Sequence, residues 1–99
     1  MSEPLKPRTI EYLEILQEEC AELIQSISKI KRFGIHSYNP SDVDRVTNVS
    51  NLITEMGDVI ALITLLSSNT ELVEEGVTME HIEEAVANKL IKVPKYLRT

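Results

Sequence analysis

The stretch that decides how this chain folds is residues 49–66, Val-Ser-Asn-Leu-Ile-Thr-Glu-Met-Gly-Asp-Val-Ile-Ala-Leu-Ile-Thr-Leu-Leu. Val49, Leu52, Ile53, Met56, Val59, Ile60, Ile63 and Leu66 recur at steps of three and four, the spacing of one helical face. Leu62 and Leu65 are apolar on the far side, so the helix should be buried nearly all round. It is expected at the centre of a bundle or at a subunit interface. Two carboxylates, Glu55 and Asp58, interrupt this apolar surface. Residues three apart lie together on a helix, so these two should project as a pair.

Working outward, residues 10–33 repeat the pattern. Leu13, Leu16, Cys20, Leu23, Ile27 and Ile30 form an apolar stripe at heptad spacing. Glu19 and Glu22 flank it as Glu55 and Asp58 flank theirs. With Cys20 and Met56 at zero on helical wheels of about 100° per residue, both pairs fall on the same side, bordering the core. If the helices pack together, four carboxylates converge. Like charges so close need a counter-charge, and a hard divalent cation with oxygen ligands supplies it. Either pair alone is more often a solvated helix face. Two features weigh against that: Tyr12 and Ile15 share the sector of Glu19 and Glu22, and no basic residue stands one turn from Glu55 or Asp58.

The rest of the chain sets the frame. A sequence of 99 residues makes one domain (1–99), and 42% hydrophobic residues argue against disorder. Three Gly and four Pro, mostly at presumed helix ends, favour an all-α fold. Residues 1–8 read as an irregular arm, with Thr9 capping the first helix. The first helix should stop at Gly34, with Lys29, Lys31 and Arg32 near its C-terminal dipole. A loop over 35–39 follows. Then comes either one helix over 42–67, its start marked by Pro40, Ser41 and Asp44, or a short helix joined to a main one near Thr47. One turn over 71–75, closed by Gly76, precedes a last helix capped by Thr78. That helix turns Met79, Ile82, Ala85, Val86 and Leu90 inward and should end at Val93-Pro94. The expected architecture is an antiparallel four-helix bundle assembled as a homo-oligomer, with Leu62 and Leu65 between subunits.

A net charge of −6 argues against nucleic-acid polymers and anionic membranes as partners. It is compatible with a phosphorylated substrate, because a bound metal reverses the local sign. Cys20 is the single cysteine and reads as packing, in a reducing compartment. No signal peptide is legible at the N-terminus, and the longest apolar run, 59–66, is too short to span a bilayer. A cytoplasmic location is expected, the host cytoplasm for a viral protein. Gly57, mid-helix, allows either a tight helix crossing or clearance beside Asp58.

At these residues the chain resembles the MazG-like all-α nucleotide pyrophosphohydrolases. Glu18-Glu19-x-x-Glu22 and Glu55-x-x-Asp58 are similar to the two acidic motifs of that family. Ala87-Asn88-Lys89-x-x-Lys92, followed by Tyr96, is similar to its basic closing helix. The resemblance covers residues 10–97. Two departures stand out: a long interval, residues 23–54, between the acidic motifs, and Pro94 where basic residues often continue. The resemblance implies hydrolysis of a nucleoside triphosphate to the monophosphate and pyrophosphate. It also implies Mg²⁺ as cofactor, with Mn²⁺ as substitute, held by Glu19, Glu22, Glu55 and Asp58. Glu18 and Glu19 are the catalytic candidates, Glu18 to orient or deprotonate the attacking water. Lys89 interrupts an inward stripe; it either snorkels to the surface or holds phosphate with Lys92. Tyr12, Ile15 and Tyr96 are candidates for contact with the nucleotide. Phe33, His36, Tyr38 and Asn39 cluster in the loop and are further candidates for base or sugar recognition.

Two rival readings remain. A carboxylate-bridged di-metal protein is disfavoured because such sites use Glu-x-x-His motifs, and neither motif here contains histidine. A non-catalytic helical oligomerisation module with solvated acids is the alternative. Which nucleotide is cleaved is not legible.

Overall fold

A computed structural model describes residues 4–99. Four helices follow one another: α1 (Pro7–Phe33), α2 (Asn48–Leu66), α3 (Thr70–Glu74) and α4 (Met79–Tyr96). No strand occurs among the described residues.

α1 starts earlier than expected, and residues 1–3 of the expected arm lie outside the described residues. Pro7 opens α1 at a position where its missing N–H is no loss, after Lys6 in extended conformation. Thr9 is therefore inside the helix and not its cap. It is buried, and its hydroxyl accepts from Asn69 Nδ2 at 3.0 Å, tying the start of α1 to the end of α2. Lys6 N–H adds a bond to the Glu71 carboxylate at 3.1 Å. At the other end Gly34, at φ +92, closes α1 with its N–H on Ile30 O at 2.8 Å. This backbone angle favours glycine.

The expected helix start near Pro40 is instead loop. Asp42 accepts the N–H groups of Asp44 and Val46, both at 3.0 Å, and Asn39 Oδ1 accepts Ser41 N–H at 3.0 Å. These side chains satisfy backbone donors locally and compete with helix formation. The helix begins only after Thr47, whose hydroxyl accepts Ser50 N–H at 3.3 Å. Asn48 is buried at the joint and donates to Gly34 O at 2.9 Å. The α1–α2 hairpin is thus fastened at both ends, and its helices run antiparallel.

Among the described residues the hairpin is the only extensively packed helix pair. A radius of gyration of 17.0 Å exceeds the roughly 13 Å of a closed 100-residue domain. The expected four-helix bundle is therefore not closed within one chain. Within α4, Ile82 is half-buried, while Met79, Val86 and Leu90 are exposed. The helix also runs through Val93-Pro94 to Tyr96. The residue before proline only disfavours the helical region, and a proline this near the end interrupts little of the ladder.

The contact line of the hairpin also differs from expectation. On α1 it runs through Thr9, Tyr12, Leu16, Glu19, Leu23, Ser26 and Ile30, and on α2 through Asn48, Leu52, Glu55, Val59, Leu62 and Leu66. Cys20 and Met56, taken as the centres of the inner faces, are exposed, as are Ile24, Ile53 and Ile60. The packed faces are rotated by roughly 40–70° from the expected ones, so that Leu16, Leu23, Ile30, Leu52, Val59 and Leu66 belong to both. Leu62 consequently belongs to the core of the hairpin, while Leu65 remains exposed. Among the described residues nothing lies within 4 Å of where a Gly57 Cβ would stand, so no tight helix crossing occurs there within the single chain and the space beside the glycine is open.

By length and composition α2 taken as a whole, Asn48–Leu66, is apolar enough to cross a bilayer, although its uninterrupted apolar run 59–66 is too short to do so. It carries Glu55 and Asp58 near its middle, groups that hydrocarbon solvates poorly.

Candidate metal and phosphate groove

The rotation of the packed faces puts the acids in the middle of the α1–α2 contact. Glu19 and Glu55 are half-buried on facing stripes, and Asp58 is half-buried beside them. One carboxylate oxygen from each of Glu19, Glu55 and Asp58 lies within 4.8 Å of the others. The Oε2 atoms of Glu19 and Glu55 are buried without a hydrogen-bond partner among the described residues. An unpaired buried carboxylate oxygen is unfavourable, and a coordinated cation is its natural partner.

Their acidities report the same crowding. Partial burial, then the charges of Glu22, Asp58 and Glu55, hold the Glu19 carboxyl above its ordinary value. Glu55 is also raised, by burial first, then by a hydrogen bond and charge from Glu22 and by the charge of Asp58. Lys29 opposes this shift. Glu22 thus belongs to the cluster electrostatically, although its side chain is exposed.

A cavity of about 310 Å³ opens beside the cluster, lined by Glu22, Gln25, Ser26, Lys29, Asn51 and Glu55. Lys29, Ser26 and Asn51 were not singled out as site residues by sequence reading, where Lys29 is only a dipole-neutralising cation. A signal was present: Ser26 and Lys29 follow Glu22 by four and seven residues, on its own side of the helix.

The other candidates divide. Tyr12 is half-buried on the contact line two turns before Glu19, and Ile15 is exposed beside it. Glu18 is exposed, one turn before Glu22. Lys89, Lys92 and Tyr96 are brought together on α4, apart from the lining of the groove. Lys89 Nζ lies 5.0 Å from the centre of the Tyr96 ring. Both lysines and Tyr96 are exposed. His81 caps locally: its Nδ1 is 2.7 Å from Gly76 O and 3.1 Å from the Thr78 hydroxyl.

No curated protein and no solved structure gives a significant match to the chain. The family model of the MazG nucleotide pyrophosphohydrolase domain does match, over residues 8–97, and so takes in both acidic motifs, the loop between them and α4. A carboxylate cluster between two antiparallel helices, with a polar groove at its side, stands inside that match; the chain belongs to the MazG nucleotide pyrophosphohydrolase family.

Proposed function

We propose that this protein hydrolyses a nucleoside or deoxynucleoside triphosphate to the monophosphate and pyrophosphate in a Mg²⁺-dependent reaction, cleaning or tailoring a nucleotide pool. The observation that carries this reading is the pair of buried, unpartnered oxygens on Glu19 and Glu55 beside Asp58. An all-oxygen donor set suits Mg²⁺, with Mn²⁺ as substitute, and offers no nitrogen or sulfur for softer metals. When bound, the metal would supply an activated water and neutralise charge on the phosphates.

The chain's own residues then have distinct tasks. Glu19, Glu22, Glu55 and Asp58 hold the cation. Glu18 accepts a proton from the attacking water or orients it toward the α-phosphorus. Lys89 and Lys92 contact phosphate oxygens, and Tyr12, Ile15 and Tyr96 flank the phosphate end of the nucleotide. Because α4 stands off the hairpin within one chain, its approach to a groove would come with assembly.

A homodimer or tetramer is part of the proposal. Leu62 and Leu66 are the only hydrophobic residues classed as buried among those described, a small core for this length. Exposed Ile24, Ile53 and Ile60, each more than 60% accessible, are the surface a second copy would cover. A cytoplasmic location fits a substrate drawn from the nucleotide pool.

The test is pyrophosphate release from ribo-, deoxyribo- and modified triphosphates, with and without Mg²⁺, by wild type, E22A and D58A. Metal-dependent turnover abolished by both substitutions is the expected result. A folded wild type inactive on every triphosphate would favour the interaction-module reading.

A further inference from the structure

A second cavity, of about 490 Å³, lies beyond the carboxylate groove, between the end of α1 and the 34–47 loop. Its wall includes Phe33, Tyr38, Asn39 and Asn48, and it shares Lys29 and Asn51 with the groove. The two spaces therefore meet at one cation and one amide. We propose that this cavity receives the nucleoside end of the substrate while the triphosphate lies in the carboxylate groove. This inference rests on the reading of the groove given above.

Three observations carry it. The first is chemical contrast. The groove is lined by charged and polar side chains alone, whereas the second cavity, beside Lys29 and Asp42, adds the rings of Phe33 and Tyr38 and the amides of Asn39 and Asn48, groups that stack on a planar base and read its edges. The second is open hydrogen-bonding capacity. Asn39 Oδ1 is occupied by Ser41, and Asn48 Nδ2 by Gly34 O and Lys29 O. Among the described residues, no hydrogen bond uses the Asn39 amide nitrogen, the Asn48 side-chain oxygen or the Asn51 side chain. The third is reach. Asn51 and Asn48 stand one and two turns before Glu55, about 6 and 10.5 Å along the helix at 1.5 Å per residue. That ordering matches a nucleotide laid along the hairpin, phosphates at Glu55 and base toward the loop.

The loop is built to hold this wall. Ser37 O accepts Asn48 N–H at 2.8 Å, and Ile35 O accepts Val49 N–H at 2.9 Å, pinning residues 35–37 to the start of α2. Arg45, at φ +52, adopts a backbone conformation uncommon for its type, and its guanidinium lies 5.8 Å from the centre of the Tyr38 ring. The long interval between the acidic motifs is thus the cavity wall. Lys29, the one cation lining either space, stands where the phosphate next to the sugar would pass.

The test compares wild type with Y38L and N51A, leaving the buried Asn48 intact. Two readouts are used: steady-state kinetics on the best triphosphate, and NMR mapping of the common ribo- and deoxyribonucleoside 5′-monophosphates without metal. Each substitution should raise KM about tenfold, the loss of one stacking or hydrogen-bonding contact, with kcat changed little. Inhibition by Mg²⁺-tripolyphosphate, which has no nucleoside, should be unchanged. Monophosphate-induced shifts should centre on Phe33, Tyr38 and Asn51. Unchanged KM in both folded variants, or shifts confined to other regions, would overturn the nucleoside assignment while leaving the hydrolase reading intact. A wild type without turnover sinks the hydrolase reading; monophosphate mapping to this cavity would then still support a nucleoside site, and its failure to do so would dispose of both.

Discussion

The α1–α2 hairpin has two sides, and they are unlike. On one side, Glu22, Lys29, Asn51 and Glu55 line a groove, and Glu19 and Asp58 cluster with Glu55. On the other, Cys20, Ile24, Ile53, Met56 and Ile60 are exposed. Both helices place these apolar residues about 100–160° from the Glu19–Glu55 contact line in the same rotational sense. In an antiparallel pair, that brings them to a common side. The polar side is already organised within one chain, by cross-helix contact and by the loop. Among the described residues nothing covers the apolar side, which is the surface the proposed second copy would cover.

Breaking the polar side should have the largest effect. E55Q keeps the shape of the side chain but removes one charge from the cluster, and turnover should fall by on the order of 10²–10³ or more. Retained Mg²⁺-dependent activity in E55Q would remove Glu55 from the site. Breaking the apolar side comes next. I60E places a charge at the exposed centre of that face, and should weaken self-association by about 2 kcal/mol or more. Analytical ultracentrifugation reads the mass; an unchanged oligomer would show that this side is not the interface.

The raised carboxyl values of Glu19 and Glu55 give a pH test. Both groups hold protons more tightly in the folded chain than in the unfolded one. Their contribution to stability is therefore complete below the ordinary value of 4.5 and is lost as pH rises through the raised folded values. Metal-free Tm should fall over that window. Saturating Mg²⁺ should oppose the fall, because it binds the deprotonated folded state. Parallel Tm profiles with and without Mg²⁺ would contradict a metal site at these carboxylates. The smallest effect is G57A. In the isolated chain it should stabilise by about 1 kcal/mol, since the site is helical and open. If a partner helix crosses there, the same change should weaken the oligomer, so the sign of the shift in chemical denaturation separates the two cases.

Much of this was legible in the sequence. The four helical segments, Gly34 and Gly76 as stops, and the cap at Thr78 follow from local rules that the structure obeys; Thr47, expected only as one possible joint, proves to be the cap of α2. The pairing of the Glu19–Glu22 motif with Glu55–Asp58 was also legible, because both motifs carry the same phase relative to their apolar stripes. What was misread was which face packs. α1 and α2 each have an apolar surface wide enough for two contacts, and periodicity gives the stripe without saying which edge meets which neighbour. Leu62 and Met56 exchanged roles for that reason. At the 34–47 loop the sequence offered Phe33, Tyr38 and Asn39 as candidates but not the cavity they line. Its wall depends on Asn39, Asp42 and Asn48 bonding to backbone groups, an arrangement without periodicity.

The central claim is that the carboxylate side directs water onto the α-phosphorus of a nucleoside triphosphate. Single-turnover hydrolysis in ¹⁸O-labelled water, with Mg²⁺ and mass analysis of both products, tests it most directly. The account predicts one ¹⁸O atom in the nucleoside monophosphate and none in pyrophosphate. Label in pyrophosphate, or release of inorganic phosphate instead, would contradict it.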